Sequence, residues 1–90
     1  MKMKRTEVYR RINQERAYQQ KRWVDGKGEG DTSDEEKSIP EWVAYIEHHL
    51  DEAKLNLYHL HRDAALDSIR KIAALAVAAL EVHGCPERKI

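Results

Sequence analysis

Between residues 39 and 60, apolar side chains recur at steps of three and four residues. This spacing places them on one face of an α-helix, with polar residues on the other faces. The pattern therefore predicts an amphipathic helix over about 39–58. The positions that form the stripe are Trp42, Ile46, His49 or Leu50, Ala53, Leu57 and Leu60.

The sequence also marks where this helix begins. Ser38 and Glu41 have the spacing of a capping box, in which each side chain bonds the backbone N–H of the other residue. Pro40 lies in the first turn, where its missing N–H is not needed. No Gly or Pro follows until Gly84, and a single helix of that length is unusual in a small domain.

We predict a break near 58–62 and a last helix over about 63–83, with Asp63 as its N-cap. The second half of this helix, around Ala74–Ala79, is apolar on nearly every side, which is typical of a helix buried on several faces. In a chain of this size, we expect a second subunit to bury part of it. Gly84 and Pro86 predict the end of the helix.

Residues 6–23 lack Gly and Pro and are rich in good helix formers, so we predict a first helix there, packed through a thin stripe of Val8, Ile12 and Trp23. Residues 24–37 hold three of the four glycines and a run of acids. They predict a mobile polar loop, with Asp34 among its solvated acids. The expected fold is all-α: three main helices in one domain spanning 1–90.

The chain has 90 residues, no net charge and one cysteine. This composition, and the absence of an apolar leader or a long apolar run, favours a cytoplasmic protein with no membrane partner. The charges are unevenly distributed. Residues 1–22 carry +6 and residues 23–53 carry −8, so the two regions could pair within the chain or between copies.

The basic first segment allows a second interpretation. Its Arg and Lys residues, flanked by Tyr9, Tyr18 and Trp23, could contact nucleic-acid phosphates and bases. However, the basic side chains point all round the predicted helix. A peripheral packed helix is therefore favoured, and a nucleic-acid partner is not expected.

His48, His49 and Glu52 form the densest group of candidate metal ligands in the sequence. Residues at i, i+1 and i+4 on a helix can reach one metal ion, and two imidazoles with one carboxylate suit a transition metal. A second helix would have to complete the coordination, with Asp63 or Asp67 as candidates. The alternative is structural: His49 packs in a core or interface, and His48, Asp51 and Glu52 are solvated.

Glu47 and Asp51 place like charges at i and i+4 on the same helix, which is mildly unfavourable. A nearby cation would relieve this repulsion. Arg70 and Lys71 on the last helix are candidate sources within the chain.

Three segments together resemble small phage- and prophage-type MazG-like proteins, of the all-α nucleoside triphosphate pyrophosphohydrolases. They are Ile12–Trp23 (INQERAYQQKRW), Glu41–Ile46 (EWVAYI) and Ile72–Glu81 (IAALAVAALE). The resemblance covers roughly residues 10–82 and rests on the order of these segments. It implies a helical bundle that forms dimers or tetramers. It also implies Mg²⁺-dependent cleavage of a nucleoside triphosphate to the monophosphate and pyrophosphate.

The family's chemistry uses Glu-Glu-x-x-Glu on one helix and Glu-x-x-Asp on the next. Matching the helices places His48, His49 and Glu52 at the three glutamates, and Ser68 and Lys71 at the last two positions. Only Glu52 keeps a carboxylate. Because imidazole is a poor Mg²⁺ ligand, the resemblance implies either a site for Zn, Ni, Co or Mn, or no metal at all.

Two functions follow. The first is a MazG-like pyrophosphohydrolase-type protein with weak, altered or lost activity. Its metal would be held by His48, His49, Glu52 and Asp67, and its nucleotide phosphates would be contacted by Arg70 or Lys71. The second is a non-catalytic oligomeric interaction protein. The sequence alone does not decide whether the chain is an enzyme.

Overall fold

The computed structural model describes residues 2–24 and 34–89, except for the side chains of Trp23 and Val24. Three α-helices make up most of this part of the chain: α1 (Arg5–Val24), α2 (Ile39–Tyr58) and α3 (Arg62–His83). A short 3₁₀ turn (Asp34–Glu36) precedes α2, and the described residues contain no strand. The all-α fold with three helices is confirmed, and the observed bounds lie within one residue of those expected.

Helices α2 and α3 form an antiparallel hairpin that carries the apolar core. Trp42 is 1% exposed and packs with Leu75 and Ala78. Half-buried side chains from both helices surround these three, among them Ile46 and Ala79. The small alanines of α3 let its neighbours approach closely, so the core is narrow and is filled mainly by one indole ring.

The start of α2 follows the sequence prediction. Ser38 Oγ accepts a hydrogen bond from the Glu41 backbone N–H at 3.3 Å, and the Ser38 N–H donates to Glu41 Oε1 at 3.1 Å. The backbone bond from Ser38 lowers the pKa of Glu41, since it stabilises the carboxylate form. The capping box is therefore complete.

The turn between α2 and α3 is a Schellman motif with an unusual residue at its centre. The His61 N–H bonds the Asn56 carbonyl at 2.7 Å, and the Leu60 N–H bonds the Leu57 carbonyl at 3.0 Å. Leu60 has φ of +63° at the position where glycine is usual, and its side chain is 90% exposed. The expected break is confirmed.

The expected N-cap of α3 is wrong. His61 occupies the N-cap position without a side-chain hydrogen bond, and Asp63 lies exposed inside the first turn. The Schellman turn fixes the start of α3 through backbone bonds, so no capping side chain is needed there.

Helix α1 packs against α3 through polar as well as apolar contacts. Arg70 Nε donates to Glu15 Oε1 at 3.1 Å, and Gln19 Nε2 donates to the Lys71 carbonyl at 3.4 Å. Val8 and Ile12 line a depression against α3, so part of the predicted apolar stripe does face the hairpin. The third predicted member, the Trp23 side chain, lies outside the described residues.

The expected solvated loop needs correction at its C-terminal end. Asp34 and Lys37 are both buried, and Asp34 Oδ2 accepts from Nη2 of the buried Arg16 at 2.7 Å. The Lys37 ammonium lies 5.4 Å from the Trp42 ring centre, and its carbonyl is 2.9 Å from His83 Nε2. Asp34 and Lys37 are therefore packed against the helices, whereas Glu35 and Glu36 are exposed as expected. The prediction for 25–33 lies outside the described residues.

Among the described residues, no helix has both the length and the apolar character needed to cross a membrane.

Candidate metal centre

The structure brings together three of the four predicted metal ligands. His48, His49 and Glu52 each offer one ligand atom, and these atoms lie within 4.8 Å of one another. All three residues belong to α2, where positions i, i+1 and i+4 share neighbouring faces. His48 is exposed, whereas His49 and Glu52 are half-buried beside the hairpin.

The carboxylate of Glu52 lies between the two imidazoles. Its Oε1 is 2.7 Å from His49 Nδ1 and 3.3 Å from His48 Nε2. Ligand atoms around a tetrahedral ion with bonds of about 2.0–2.1 Å are separated by about 3.3 Å. The Glu52–His48 distance already has this value, and the closer His49 contact would need to open by rotation of flexible side chains.

Two of these atoms are shielded from solvent. Neither His49 Nδ1 nor Glu52 Oε1 has a hydrogen-bond partner among the described residues, although they lie 2.7 Å apart, because their mutual contact lacks hydrogen-bond geometry. Shielded polar atoms that contact each other without forming a hydrogen bond are incompletely satisfied. A metal ion bound by both atoms would satisfy them.

The donor set favours a particular class of ion. Two imidazole nitrogens and one carboxylate oxygen suit Zn, Ni, Co or Mn better than Mg²⁺, which prefers oxygen ligands and octahedral geometry. Three protein ligands also leave a coordination position for water or for a ligand oxygen, as in catalytic zinc sites. The residues therefore fit a transition metal.

The fourth predicted ligand, Asp67, is not a member of this group of ligand atoms. Its carboxylate forms ion pairs with Arg70 and with Lys71, the latter at 3.4 Å. Partial burial acts to raise the pKa of Asp67, but the hydrogen bonds and charges of Arg70 and Lys71 outweigh it and lower the pKa. Coordination by Asp67 stays a prediction, and it would require these contacts to break.

The two predicted phosphate-binding residues are both engaged in ion pairs. Arg70 lies between Glu15 and Asp67, and these two carboxylates raise its pKa although burial acts in the opposite direction. Lys71 pairs with Asp67 alone. A phosphate would have to replace Asp67 as the anionic partner of either cation.

Arg70 also lines an open depression between α1 and α3, with a volume of about 440 Å³. Arg10, Arg11 and Tyr18 lie on its α1 side. The depression shares no residue with the His48, His49 and Glu52 cluster. The structure thus separates the metal ligands from the cationic surface around Arg70.

Sequence reasoning missed the charged group in which buried Arg16, Asp34 and Lys37 meet the exposed Glu81. Arg16 bridges Asp34 and Glu81, and Lys37 Nζ lies 3.7 Å from Asp34 Oδ1. These residues come from three separate segments, so no local spacing pointed to them. The group is a structural link, because two carboxylates balance two cations and three of its four members are buried.

No protein-family model, curated protein or solved structure matches this chain.

Proposed function

We propose that this chain is a MazG-like, nucleotide pyrophosphohydrolase-type protein whose chemistry is altered by a transition-metal site. The observation that supports this proposal is the cluster of His48, His49 and Glu52, in which two shielded ligand atoms contact each other without a hydrogen bond. When bound, a divalent metal would polarise a phosphate oxygen and activate water. The expected reaction is hydrolysis between the α- and β-phosphates of a nucleoside triphosphate, which releases the monophosphate and pyrophosphate.

Each protein group has a separate role in this proposal. His48, His49 and Glu52 hold the metal and leave one side of it open. Arg70 and Lys71 are the proposed phosphate contacts. This role requires the release of Asp67 and a nucleotide that reaches from the metal ligands to the separate cationic surface around Arg70. Altered metal preference is expected because histidines stand at two of the positions where the resemblance implies carboxylates.

The first test is metal binding by the purified, metal-free chain, measured by calorimetry with Zn²⁺, Co²⁺, Mn²⁺ and Mg²⁺. We expect one transition-metal ion per chain and weak or undetectable Mg²⁺ binding. His49→Ala and Glu52→Ala should each abolish tight binding. The control is His59→Ala, which removes an exposed histidine of the α2–α3 turn and should leave binding unchanged.

The second test is pyrophosphate release from a panel of ordinary and modified nucleoside triphosphates with each metal in turn. Release that is lost in Glu52→Ala supports the proposal. Metal binding without release from any nucleotide would reject the pyrophosphohydrolase function but keep the metal site. Absence of transition-metal binding would reject both.

The alternative function is a non-catalytic oligomeric interaction protein. The exposed apolar side chains of α2 and α3 favour it, because soluble monomers rarely expose contiguous apolar surface of this kind. It predicts a folded, self-associating chain that releases no pyrophosphate with any metal.

A further inference from the structure

One side of the α2–α3 hairpin exposes an unusual number of large apolar side chains. Their exposed fractions range from 39% to 58%. We call this surface the apolar face. Its members are Ile39, Val43, Leu50 and Leu57 on α2, and Leu66, Ile69, Val77 and Leu80 on α3.

Helix geometry places both sets on the same side of the hairpin. Each residue turns a helix by about 100°, and on α2 Val43 directly follows the buried Trp42. On α3, Leu66 directly follows the buried Ala65, and Ile69 directly follows the buried Ser68. Leu66 and Ile69 are thus rotated from these buried residues in the same sense as Val43 is from Trp42. Val77 and Leu80 lie about 140° or more from the core residue Leu75, so they extend the face round the side of α3 that points away from α2. Because the helices run antiparallel, equal rotations lead to one common side.

The apolar face continues toward the N-terminal segment. A depression of about 380 Å³ lies beside α3, and its lining includes Met3, Val8 and Ile12 next to Leu66 and Ile69. The exposed apolar surface therefore reaches from α2 across α3 to the edge of α1.

The two edges of this face carry opposite charge. On the α2 edge, Glu47 and Asp51 are exposed, and neither forms an ion pair within the described part of the chain. Arg70 and Lys71, which the sequence offered as their partners, are instead held by Glu15 and Asp67. The repulsion between Glu47 and Asp51 is therefore left without a cation.

On the opposite edge, the N-terminal segment is basic. Lys2, Lys4 and Arg5 are exposed beside Met3 and Val8, which border the apolar face. None of the three cations forms an ion pair with another described residue. An apolar face with one acidic and one basic edge is self-complementary, because a two-fold rotation can place unlike edges together.

We propose that a second copy of this chain covers the apolar face. The two copies are related by a two-fold axis that runs roughly parallel to α3. This rotation places the Glu47 and Asp51 edge of one copy along the Lys2, Lys4 and Arg5 edge of the other. The alternative two-fold axis, perpendicular to α3, would place acidic edge on acidic edge, and like charges disfavour it.

This assembly does not depend on the metal site, so either proposal can fail alone. Its first test is analytical ultracentrifugation of the metal-free chain over a range of concentrations. We expect a dimer for the wild type, and at least a tenfold weaker association for Ile69→Glu. Ile69 is half-exposed in the single chain, so the variant should keep its helical circular dichroism.

The matched control is Leu55→Glu, which makes the same kind of change at a side chain 60% exposed. Leu55 lies about 120° or more from Val43, Leu50 and Leu57 around α2, outside the apolar face. The Leu55→Glu variant should remain dimeric. A monomeric wild type, or a dimer that survives Ile69→Glu, would overturn the proposal. A dimer that Leu55→Glu breaks as readily as Ile69→Glu would do the same.

A second test addresses the charged edges. Glu47→Lys with Asp51→Lys should weaken the dimer severalfold at low salt, and the difference should shrink as salt is raised. Restored association on mixing this variant with Lys4→Glu/Arg5→Glu would support the pairing of unlike edges. Unchanged association of the Glu47→Lys/Asp51→Lys variant at low salt would overturn the two-fold arrangement.

Discussion

Arg16 on α1 and Asp34 in the 3₁₀ turn form a buried ion pair, with Nη2 and Oδ2 separated by 2.7 Å. Arg16 is only 5% exposed, and Lys37 and Glu81 complete the charged group around it. Removing one member of such a group leaves an uncompensated buried charge. We expect Arg16→Met and Asp34→Ala each to lower the free energy of unfolding by about 3 kcal/mol, measured by urea denaturation.

The control for this prediction is Arg10→Met. Arg10 pairs with Glu7 on the exposed side of α1, where solvent screens the charges, so we expect little change in stability. Equal effects of Arg10→Met and Arg16→Met would contradict the assignment of Arg16 as a buried link between segments.

The conformation of Leu60 makes it a site for stabilisation. A residue with a side chain is strained in the left-handed region, whereas glycine adopts it freely. Since the Leu60 side chain is 90% exposed, its loss removes little packing. We expect Leu60→Gly to raise the free energy of unfolding by about 1 kcal/mol, measured by thermal and urea unfolding.

Gly84 is the converse of Leu60, because here a glycine already occupies a backbone conformation with positive φ. It ends α3 with φ of +101° and ψ of 151°, a backbone conformation that is nearly exclusive to glycine. No other group lies close enough to clash with an added Cβ. Gly84→Ala should therefore destabilise the chain through backbone strain alone.

For the Leu60 prediction, destabilisation by Leu60→Gly would show that the Leu60 side chain makes stabilising contacts.

The capping box makes part of the stability depend on pH. Ser38→Ala should cost about 1 kcal/mol. The pKa of Glu41 is lowered from 4.5 in the folded chain, so its contribution is complete above that value and is lost as the pH falls through its folded pKa. Glu41→Ala should thus be less stable than wild type at pH 7, and the difference should shrink below about pH 4.5.

A double-mutant cycle checks this prediction. Because the two side chains bond each other's backbone, the loss in Ser38→Ala/Glu41→Ala should be smaller than the sum of the single losses. Strict additivity at pH 7 would mean that the box does not act as a unit.

Metal binding should stabilise the folded chain without being required for folding. The three ligands lie on one helix, so the metal-free chain should keep its helical circular dichroism and its cooperative unfolding in the presence of a chelator. Added Zn²⁺ at 100 times its dissociation constant should contribute about 2.7 kcal/mol.

Thermal unfolding of His49→Ala with and without Zn²⁺ tests whether the cluster of His48, His49 and Glu52 causes this stabilisation. We expect no rise in its melting temperature with Zn²⁺. A rise equal to that of the wild type would place the ion elsewhere on the chain.

The sequence predicts the helices well because their signals are local. Apolar spacing, the Ser38 and Glu41 box and the Gly84 stop each act within a few residues. The His48, His49 and Glu52 group is also local, since one helix brings its members together. These features could be read without knowledge of how the helices pack.

Features that depend on distant contacts could not be predicted in this way. The acids near Asp34 resemble a solvated run, and only the approach of Arg16 from α1 makes burial of Asp34 favourable. Asp67 has a carboxylate that could bind a metal, yet its position on α3 places it beside Arg70 and Lys71. Leucine is not typical of the left-handed conformation, so the sequence does not indicate that Leu60 adopts it. The backbone hydrogen bonds of the turn impose this conformation.

The arrangement of the helices also implies an order of events in folding. Helices α2 and α3 are joined by a three-residue turn, whereas the Glu15–Arg70 contact spans 55 positions of the chain. Closing the shorter loop costs less entropy, so the hairpin should form first and α1 should dock onto it afterwards. In the native state, the amides of α1 should then exchange with solvent through openings that leave the hairpin intact.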